Sequence, residues 1–181
     1  MKWTYDLVCL VMLVVTAGPG LVSAVEPVPT GYQAVATAFG VPHTLLYAVA
    51  LTESGRQLDT QVIHRPWPWT LNISGQGYYY SSRIQAWQGL KQALDNGKTS
   101  IDIGLMQVNW RYHQERLGSP WQALDPYHNL RVGAAILQDC YKTRQDWWAS
   151  VGCYHAPANP QRADRYRQRV LARWQGIERA G

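Results

Sequence analysis

One segment interrupts an otherwise helix-forming chain, between Leu58 and Tyr80. It contains four residues that disfavour helices: Pro66, Pro68, Gly75 and Gly77. Because proline lacks an amide donor and glycine loses the most backbone freedom on folding, a long helix is excluded here. Two β-prone runs, 69–73 and 78–80, flank residues 74–77 as two strands flank a turn. The segment therefore predicts a small β-hairpin inserted between helices.

Helices are predicted on both sides of the hairpin, from apolar spacing and from residues that start or end helices. The predicted ranges are 32–39, 42–53, 82–95, 129–141 with its start at Asp125 or Asn129, 146–153 and 161–178. Ser82 is the predicted N-cap of the third helix. The residues expected to share one face of that helix are Ile84, Trp87, Leu90, Lys91 and Leu94. Residues 102–109 are predicted to be mostly irregular, and the fold class is α+β, mainly α.

Residues 1–24 have the layout of a secretory signal peptide. Lys2 precedes an apolar stretch at 7–17, and Val22-Ser23-Ala24 is a small-residue sequence of the kind that is cleaved after export. The apolar stretch is too short to span a membrane. We expect cleavage after Ala24, which leaves residues 25–181 as one exported domain. An uncleaved membrane anchor is the alternative.

Cleavage would remove Cys9 and leave Cys140 and Cys153, an even pair in an oxidising compartment. A disulfide between them would close a short loop joining two helices and stabilise the fold by roughly 3 kcal/mol. Two buried free thiols are the alternative, and export favours the disulfide. The five histidines and the remaining cysteines show no paired ligand spacing, so no metal site is expected.

The composition favours an anionic or saccharide partner. The chain carries 17 Lys and Arg against 12 Asp and Glu, which suits an anionic polymer or surface. Nucleic acid is not expected, because the sequence contains no recognition motif for it. There are 9 Trp and 11 Tyr but only 1 Phe, and Trp and Tyr join a flat apolar face to a polar edge. Such rings suit stacking against sugars; packing of the core is the alternative for any one of them.

Glu53 closes the apolar helical run at 45–53 and is followed by Ser54-Gly55. A carboxyl group at the end of a largely dehydrated helix should hold its proton tightly, as a general acid must. An exposed glutamate in a last helical turn is the alternative. Glycosidic bond cleavage usually needs a second carboxylate, and Asp102 is the one acid adjoining the segment at 104–109. One carboxyl group suffices, however, if the attacking hydroxyl belongs to the substrate.

Four motifs follow one another in a specific order. They are Glu53-Ser54-Gly55, then Gly104-Leu105-Met106-Gln107-Val108-Asn109, then Asn129 with Gly133 and Leu137, then Gly152-Cys153-Tyr154-His155. In order and spacing, over roughly residues 30–160, they resemble the motifs of lytic transglycosylases with the soluble-transglycosylase, lysozyme-like domain. The chain is similar in particular to small exported transglycosylases that accompany conjugation, pilus and secretion machines of Gram-negative bacteria. The resemblance implies a lysozyme-like helical domain with the hairpin over an active-site cleft.

The resemblance also implies a role for each matched residue. Glu53 matches the catalytic acid/base, Ser54 the neighbour that supports the helix end, and Tyr154 the tyrosine that hydrogen-bonds near the acid. The implied substrate-binding residues are Ser54, Gly104, Leu105, Met106, Gln107, Asn109 and Tyr154. The family's usual Tyr-Asn-x-Gly reads Tyr154-His155-Ala156-Pro157 here, with histidine in place of asparagine. This departure affects the substrate contacts expected of that loop.

The implied activity is cleavage of the β-1,4 bond between N-acetylmuramic acid and N-acetylglucosamine, leaving a 1,6-anhydro end and needing no cofactor. The implied partners are peptidoglycan glycan strands and a conjugation, pilus or secretion apparatus, for a periplasmic monomer. Trp69 and Tyr80 of the hairpin would either stack on glycan or hold the hairpin together. Two alternatives stay open: a lysozyme-type hydrolase in which Asp102 positions a water, and a non-catalytic glycan-binding component of such an apparatus.

Overall fold

The computed structural model describes residues 28–57 and 64–179. The predicted signal peptide at 1–24 lies outside these residues, so the peptide and its cleavage after Ala24 stay predictions. The segment 58–63 and the last two residues of the chain lie outside them as well.

The described part of the chain folds into eight helices and six short strands. The helices are α1 (Thr30–Phe39), α2 (His43–Ser54), α3 (Arg83–Asp95), α4 (Trp110–Leu117), α5 (Pro120–Ala123), α6 (Pro126–Arg144), α7 (Trp147–His155) and α8 (Pro160–Glu178). The strands are β1 (Gly55–Gln57), β2 (His64–Pro66), β3 (Thr70–Ile73), β4 (Gln76–Tyr79), β5 (Ile101–Ile103) and β6 (Val108–Asn109). All six predicted helices are present, which confirms the mainly helical α+β class. The short helices α4 and α5 and the antiparallel pair β1–β2 were not predicted.

Helix α2 forms the centre of the helical core. Its residues 45–51 are all buried, because the run is apolar on every side and such a helix is stable only when it is surrounded. It packs along α8, while α6 packs against α1 and α7. Within the described ranges, no single helix is long and apolar enough to cross a membrane; α1 and α2 qualify only as a pair, by length and composition, and are bent by 115°.

Side-chain caps fix where the helices begin. Ser82 accepts a hydrogen bond from an amide in the first turn of α3, and Asp146 does the same for α7, as predicted. Of the two predicted starts of α6, Asp125 is correct, because its carboxylate accepts from the amide of His128 at 2.9 Å. Asn129 lies inside α6 and is fully buried.

The predicted β-hairpin is confirmed. Strands β3 and β4 are antiparallel with Ile73 opposite Gln76, so Ser74 and Gly75 form a two-residue turn. Their φ angles are positive, 53° and 91°, as in the two-residue turns whose twist matches that of the flanking strands.

The prediction that residues 102–109 are mostly irregular is wrong at both ends of that segment. Strands β5 and β6 extend the hairpin into a four-stranded sheet with the order β4-β3-β5-β6. Asp102 pairs with Asn72 on one side and with Asn109 on the other. Strands of two or three residues are too short for an alternating pattern to reveal. The sheet therefore places Asp102 and Asn109 side by side.

The predicted face of α3 is wrong at two positions, because Ile84 and Lys91 are both exposed. Ile84 is 58% exposed, whereas the residues of α3 that are buried are Ala86, Leu90 and Ala93. Ile84 and Ala86 are two residues apart, and residues at that spacing do not share a helix face. The alanines, which carry little hydrophobic signal, mark the buried stripe.

The predicted disulfide is confirmed. Cys140 on α6 and Cys153 on α7 are bonded, with an S–S distance of 2.07 Å. Beside this bond, the rings of Tyr141 and Trp147 stack with centroids 4.1 Å apart. The turn between the two helices is therefore held both covalently and by aromatic packing.

We expect the double substitution Cys140→Ala and Cys153→Ala to lower the free energy of unfolding by roughly 3 kcal/mol, because the bond closes a short loop in the unfolded chain. Urea unfolding of the oxidised wild type and of the variant measures the difference. Reduced wild type is the matched control and should lose a similar amount. Equal stability of oxidised and reduced wild type would contradict the prediction.

Candidate active site

Glu53 lies in the last turn of α2, where the chain passes directly into β1. A Cβ at Gly55 would collide with a backbone carbonyl of α2, so this sharp exit requires glycine. The Glu53 side chain is 12% exposed, and burial raises its pKa from 4.5 to about 7. The Tyr166 hydrogen bond and the Arg169 charge act in the opposite direction, and the Asp102 charge adds to the rise. Glu53 therefore retains much of its proton at neutral pH, as the sequence predicts.

Tyr166 on α8 is the direct partner of Glu53, and it was not predicted from the sequence. Its hydroxyl donates a hydrogen bond to Glu53 Oε1 at 2.6 Å, and its side chain is 1% exposed. The signal that could have found it is the spacing of Ala163, Tyr166 and Val170, which form a buried stripe on an otherwise arginine-rich helix. The buried hydroxyl holds one oxygen of the carboxyl group in place.

Tyr154 lies close to Glu53 and bonds to a neighbouring turn. Its hydroxyl donates to the backbone oxygen of Met106 at 2.6 Å. Burial raises the pKa of Tyr154 well above its usual value, and the charge of Glu53 raises it further. Tyr154 therefore remains a neutral hydrogen-bond donor that ties α7 to the turn between β5 and β6.

Asn129 on α6 is hydrogen-bonded to the backbone of the turn between β5 and β6. Its amide oxygen accepts from the Met106 amide at 2.9 Å, and its amide nitrogen donates to the backbone oxygens of Ile103 at 2.9 Å and Ala123 at 3.1 Å. Gly104 has φ +78°, and a Cβ there would lie 2.6 Å from the Asn129 side chain. The close approach of turn and helix therefore requires glycine at 104.

The same turn is bonded to α2 and to the sheet. The Ser54 hydroxyl donates to the backbone oxygen of Leu105 at 2.7 Å, so the residue beside Glu53 supports both elements. The Gln107 side chain donates to the backbone oxygens of Gly104 at 2.9 Å and Thr70 at 3.2 Å. Gln107 itself has φ +45°. Much of the hydrogen-bonding capacity of the predicted substrate-binding residues is thus used to hold this turn rigid.

Asp102 and Asn109 form a hydrogen-bonded pair on the sheet. Asn109 donates to Asp102 Oδ1 at 2.7 Å, and its amide oxygen also caps α4. Burial raises the pKa of Asp102, and the Asn109 hydrogen bond lowers it. The Asp102 charge also raises the pKa of Glu53, so the two carboxyl groups interact electrostatically.

The hairpin aromatics divide into two groups. The Tyr80 hydroxyl lies against Gly89 of α3, where an added Cβ would displace it, so this ring connects the hairpin to the helix. Trp69 is half-buried with its ring edge-on to Trp67, and among the described residues its indole N–H is buried without a partner. Tyr79 is 49% exposed and is the more accessible surface for a ligand. The contact of Tyr80 with α3 agrees with the structural alternative, and its predicted contact with glycan stays a prediction.

Replacing Tyr166 with Phe should raise the pKa of Glu53 above its present value of about 7. The phenol hydrogen bond favours the charged carboxylate, so its loss leaves burial less opposed. Carboxyl-carbon NMR across a pH titration measures the shift. Tyr112→Phe is the matched control, because Tyr112 is 75% exposed, and it should leave the Glu53 titration unchanged. A pKa that falls or stays constant in Tyr166→Phe would contradict this account.

The structure brings most of the predicted site residues into one place. Glu53, Ser54, Tyr154 and the turn at 104–107 are linked by hydrogen bonds or by charge, and Asp102 with Asn109 adjoins them. Among the residues that the structure describes, no group of three or more His, Cys, Asp or Glu side chains is arranged to hold a metal ion. The chemistry available at this site is proton transfer by a buried carboxyl group.

Comparisons with known proteins identify the family of this chain. Residues 32–175 match the family model described as the transglycosylase SLT domain. The type IV secretion system protein virB1 of Brucella abortus is 42% identical over 52 residues, or 28% of this chain and 21% of that protein. The virB1 proteins of Brucella melitensis and Brucella suis match to the same extent.

The chain therefore spans about a fifth of the length of the curated relatives it matches. No solved structure matches the chain. The family model, by contrast, covers most of the chain, including Glu53, the segment 104–109 and Tyr154. This protein belongs to the transglycosylase SLT domain family.

Proposed function

We propose that this protein is a peptidoglycan lytic transglycosylase that cleaves the β-1,4 bond between N-acetylmuramic acid and N-acetylglucosamine and leaves a 1,6-anhydro end. The observation that carries the proposal is Glu53, a buried carboxyl group whose pKa of about 7 suits both halves of an acid/base reaction at neutral pH. Family membership supports the same activity.

In the proposed reaction, Glu53 gives its proton to the glycosidic oxygen as the bond between C1 and that oxygen breaks. An oxocarbenium-like state develops at C1 of the muramyl sugar. The Glu53 carboxylate then removes the proton of the C6 hydroxyl as that oxygen bonds to C1. The proton given is replaced by the proton taken, so Glu53 is regenerated and no water is consumed.

The fixed turn at 104–107 would present a rigid wall to the sugar beside Glu53. The turn is hydrogen-bonded to Ser54, Asn129 and Tyr154, which favours such a role. A turn that neighbouring side chains hold in place positions a substrate better than a mobile loop does. We propose that the remaining polar groups of this wall and of Asn109 contact the muramyl sugar and its peptide. Trp69 and the exposed hairpin rings would contact the glycan.

A lysozyme-type hydrolase is the second candidate, and Asp102 is the observation that favours it. The charge of Asp102 raises the pKa of Glu53. Burial raises the pKa of Asp102 itself, which makes the Asp102 carboxylate a stronger base towards a water. The hydrogen bond from Asn109 opposes this role, because it occupies one of the two carboxylate oxygens. In the transglycosylase the C6 oxygen of the same sugar bonds to C1, whereas in the hydrolase the oxygen of a water does.

Mass spectrometry of the products separates the two candidates. Purified peptidoglycan digested by the protein should yield muropeptides with anhydro ends, each lighter than the reducing-end product by one water. Reducing ends would establish the hydrolase and contradict the transglycosylase. Zymography on peptidoglycan gels addresses the remaining alternative, since a glycan-binding protein without activity clears no band.

We further propose that the protein acts in the periplasm as a monomer and opens the cell wall locally for an envelope-spanning apparatus. Support comes from the signal-peptide layout of residues 1–24 and from the similarity to proteins named as type IV secretion system components. The disulfide between Cys140 and Cys153 agrees with an oxidising compartment. Fractionation of cells that produce the full chain should place the processed protein in the periplasm.

A further inference from the structure

His155 occupies the position where the family motif usually has asparagine, at the last residue of α7. Its ring lies parallel to the ring of Tyr166, with centroids 4.3 Å apart and planes 3° apart. Its Nδ1 atom is 4.0 Å from Glu53 Oε1. Tyr166 donates its hydrogen bond to that same oxygen. One histidine therefore contacts both the acid and the residue that orients the acid.

We propose that His155 is a positioning residue for Glu53 and that its ring makes the reaction sensitive to acid. The flat contact between the two rings keeps the Tyr166 hydroxyl directed at Oε1. A proton on the histidine ring would place a positive charge next to the carboxyl group. This inference rests on the proposed transglycosylase function.

The charged and titratable groups around His155 come from two helices. Glu53 faces it from α2, and Tyr166, Arg162 and Arg169 face it from α8. Burial lowers the pKa of His155 below its usual 6.5, and the charges of Arg169 and Arg162 lower it further. As the pH falls, Glu53, with a pKa of about 7, therefore takes up its proton before His155 does.

Protonation of His155 would slow the reaction in two ways. An imidazolium beside Glu53 makes its carboxylate a weaker base towards the C6 hydroxyl. It also opposes the positive charge that develops at C1. Because the neutral carboxyl group already serves as the acid, the gain in acidity does not offset these losses. We expect the rate to fall by about three- to tenfold at pH values well below the His155 pKa.

Two substitutions distinguish the effect of the ring contact with Tyr166 from the effect of protonating His155. His155→Phe keeps a flat ring for Tyr166 and cannot titrate, whereas His155→Asn removes both features. His43→Asn is the matched control, because His43 is exposed and lies at the first residue of α2, about 15 Å along the helix from Glu53. The probe is purified peptidoglycan, with initial rates of anhydro-muropeptide release measured across pH.

The wild type and His43→Asn should show an acid limb whose midpoint agrees with the titration of the His155 ring by NMR. Both His155 variants should lack that limb. His155→Asn should also lower kcat by about two- to tenfold without a matching change in KM, and His155→Phe should recover part of that loss by restoring the ring contact.

An acid limb that persists in His155→Phe overturns the inference. A midpoint more than about one pH unit from the His155 titration overturns it as well, since one unit corresponds to about a tenfold difference in protonation. Absence of lysis by the wild type at every pH overturns the proposed function and this inference together. Lysis with a persisting limb overturns the inference alone, so the two failures are distinguishable.

Discussion

Glu53→Gln should abolish peptidoglycan lysis and, above neutral pH, make the protein more stable than the wild type. Glutamine has the shape of glutamate and retains an oxygen that accepts the Tyr166 hydrogen bond, but it has no acidic proton to give. A general acid/base contributes about 10² to 10⁴ in rate, and Glu53 is proposed to act in both steps. We therefore expect kcat for anhydro-muropeptide release to fall by at least about 10²-fold.

The stability gain follows from the raised pKa of Glu53. Its folded-state pKa of about 7 lies above its ordinary value of 4.5, so the folded protein binds this proton more tightly than the unfolded chain. The resulting stabilisation is complete below pH 4.5 and is lost as the pH rises through 7. At about pH 8 the ionised, buried carboxylate should cost about 3 kcal/mol, and the Glu53→Gln variant would not incur this cost because an amide does not ionise.

Urea unfolding at about pH 8 and about pH 4 tests this half of the prediction, with a gain expected only at the higher pH. Glu115→Gln is the matched control, because it makes the same chemical change at an exposed side chain and should alter neither activity nor stability. Normal lysis by Glu53→Gln would refute the assignment of Glu53. A loss of stability at about pH 8 would show instead that inactivity reflects a damaged fold.

The local parts of this structure could be predicted because their signals lie within a few residues. The apolar run before Glu53 predicts a buried helix, and Ser82 and Asp146 mark helix starts through a single side-chain bond each. The hairpin follows from the glycines between two β-prone runs, although its turn is Ser74-Gly75 alone and Gln76 and Gly77 belong to β4, not to the turn as predicted. The position of Glu53 at the exit of α2 follows from Gly55, which allows the chain to turn.

The contacts that orient the Glu53 carboxyl group join residues far apart in sequence and could not be predicted from local patterns. Tyr166 is 113 residues from Glu53 in sequence, and its interaction depends on how α8 packs along α2. The strand that holds Asp102 has only three residues, so its pairing with Asn109 emerges only once the sheet is assembled. Tyr80 illustrates the same limit, because an aromatic residue at a hairpin end can face either a ligand or a helix.

Asn129→Ala should cause the largest loss of stability among these substitutions, about 3 to 9 kcal/mol. Asn129 is fully buried, and its removal deprives the Met106 amide and the backbone oxygens of Ile103 and Ala123 of one hydrogen bond each. Each buried group left unpaired costs about 1 to 3 kcal/mol. A typical domain has about 5 to 15 kcal/mol of stability in total, so the variant should be close to unfolding at room temperature.

Gln138→Ala provides the matched control on the same helix. Gln138 is a half-buried amide that makes one hydrogen bond, from Nε2 to the backbone oxygen of Phe39 at 2.8 Å, so its loss should cost about 1 kcal/mol. Urea unfolding measures both variants, and hydrogen exchange at the Met106 amide should accelerate in Asn129→Ala beyond the change in Gln138→Ala. Equal losses in the two variants would mean that Asn129 contributes no more than an ordinary side-chain amide. A larger loss with a selectively exposed Met106 amide would mean that Asn129 holds the turn at 104–107 in place beside Glu53.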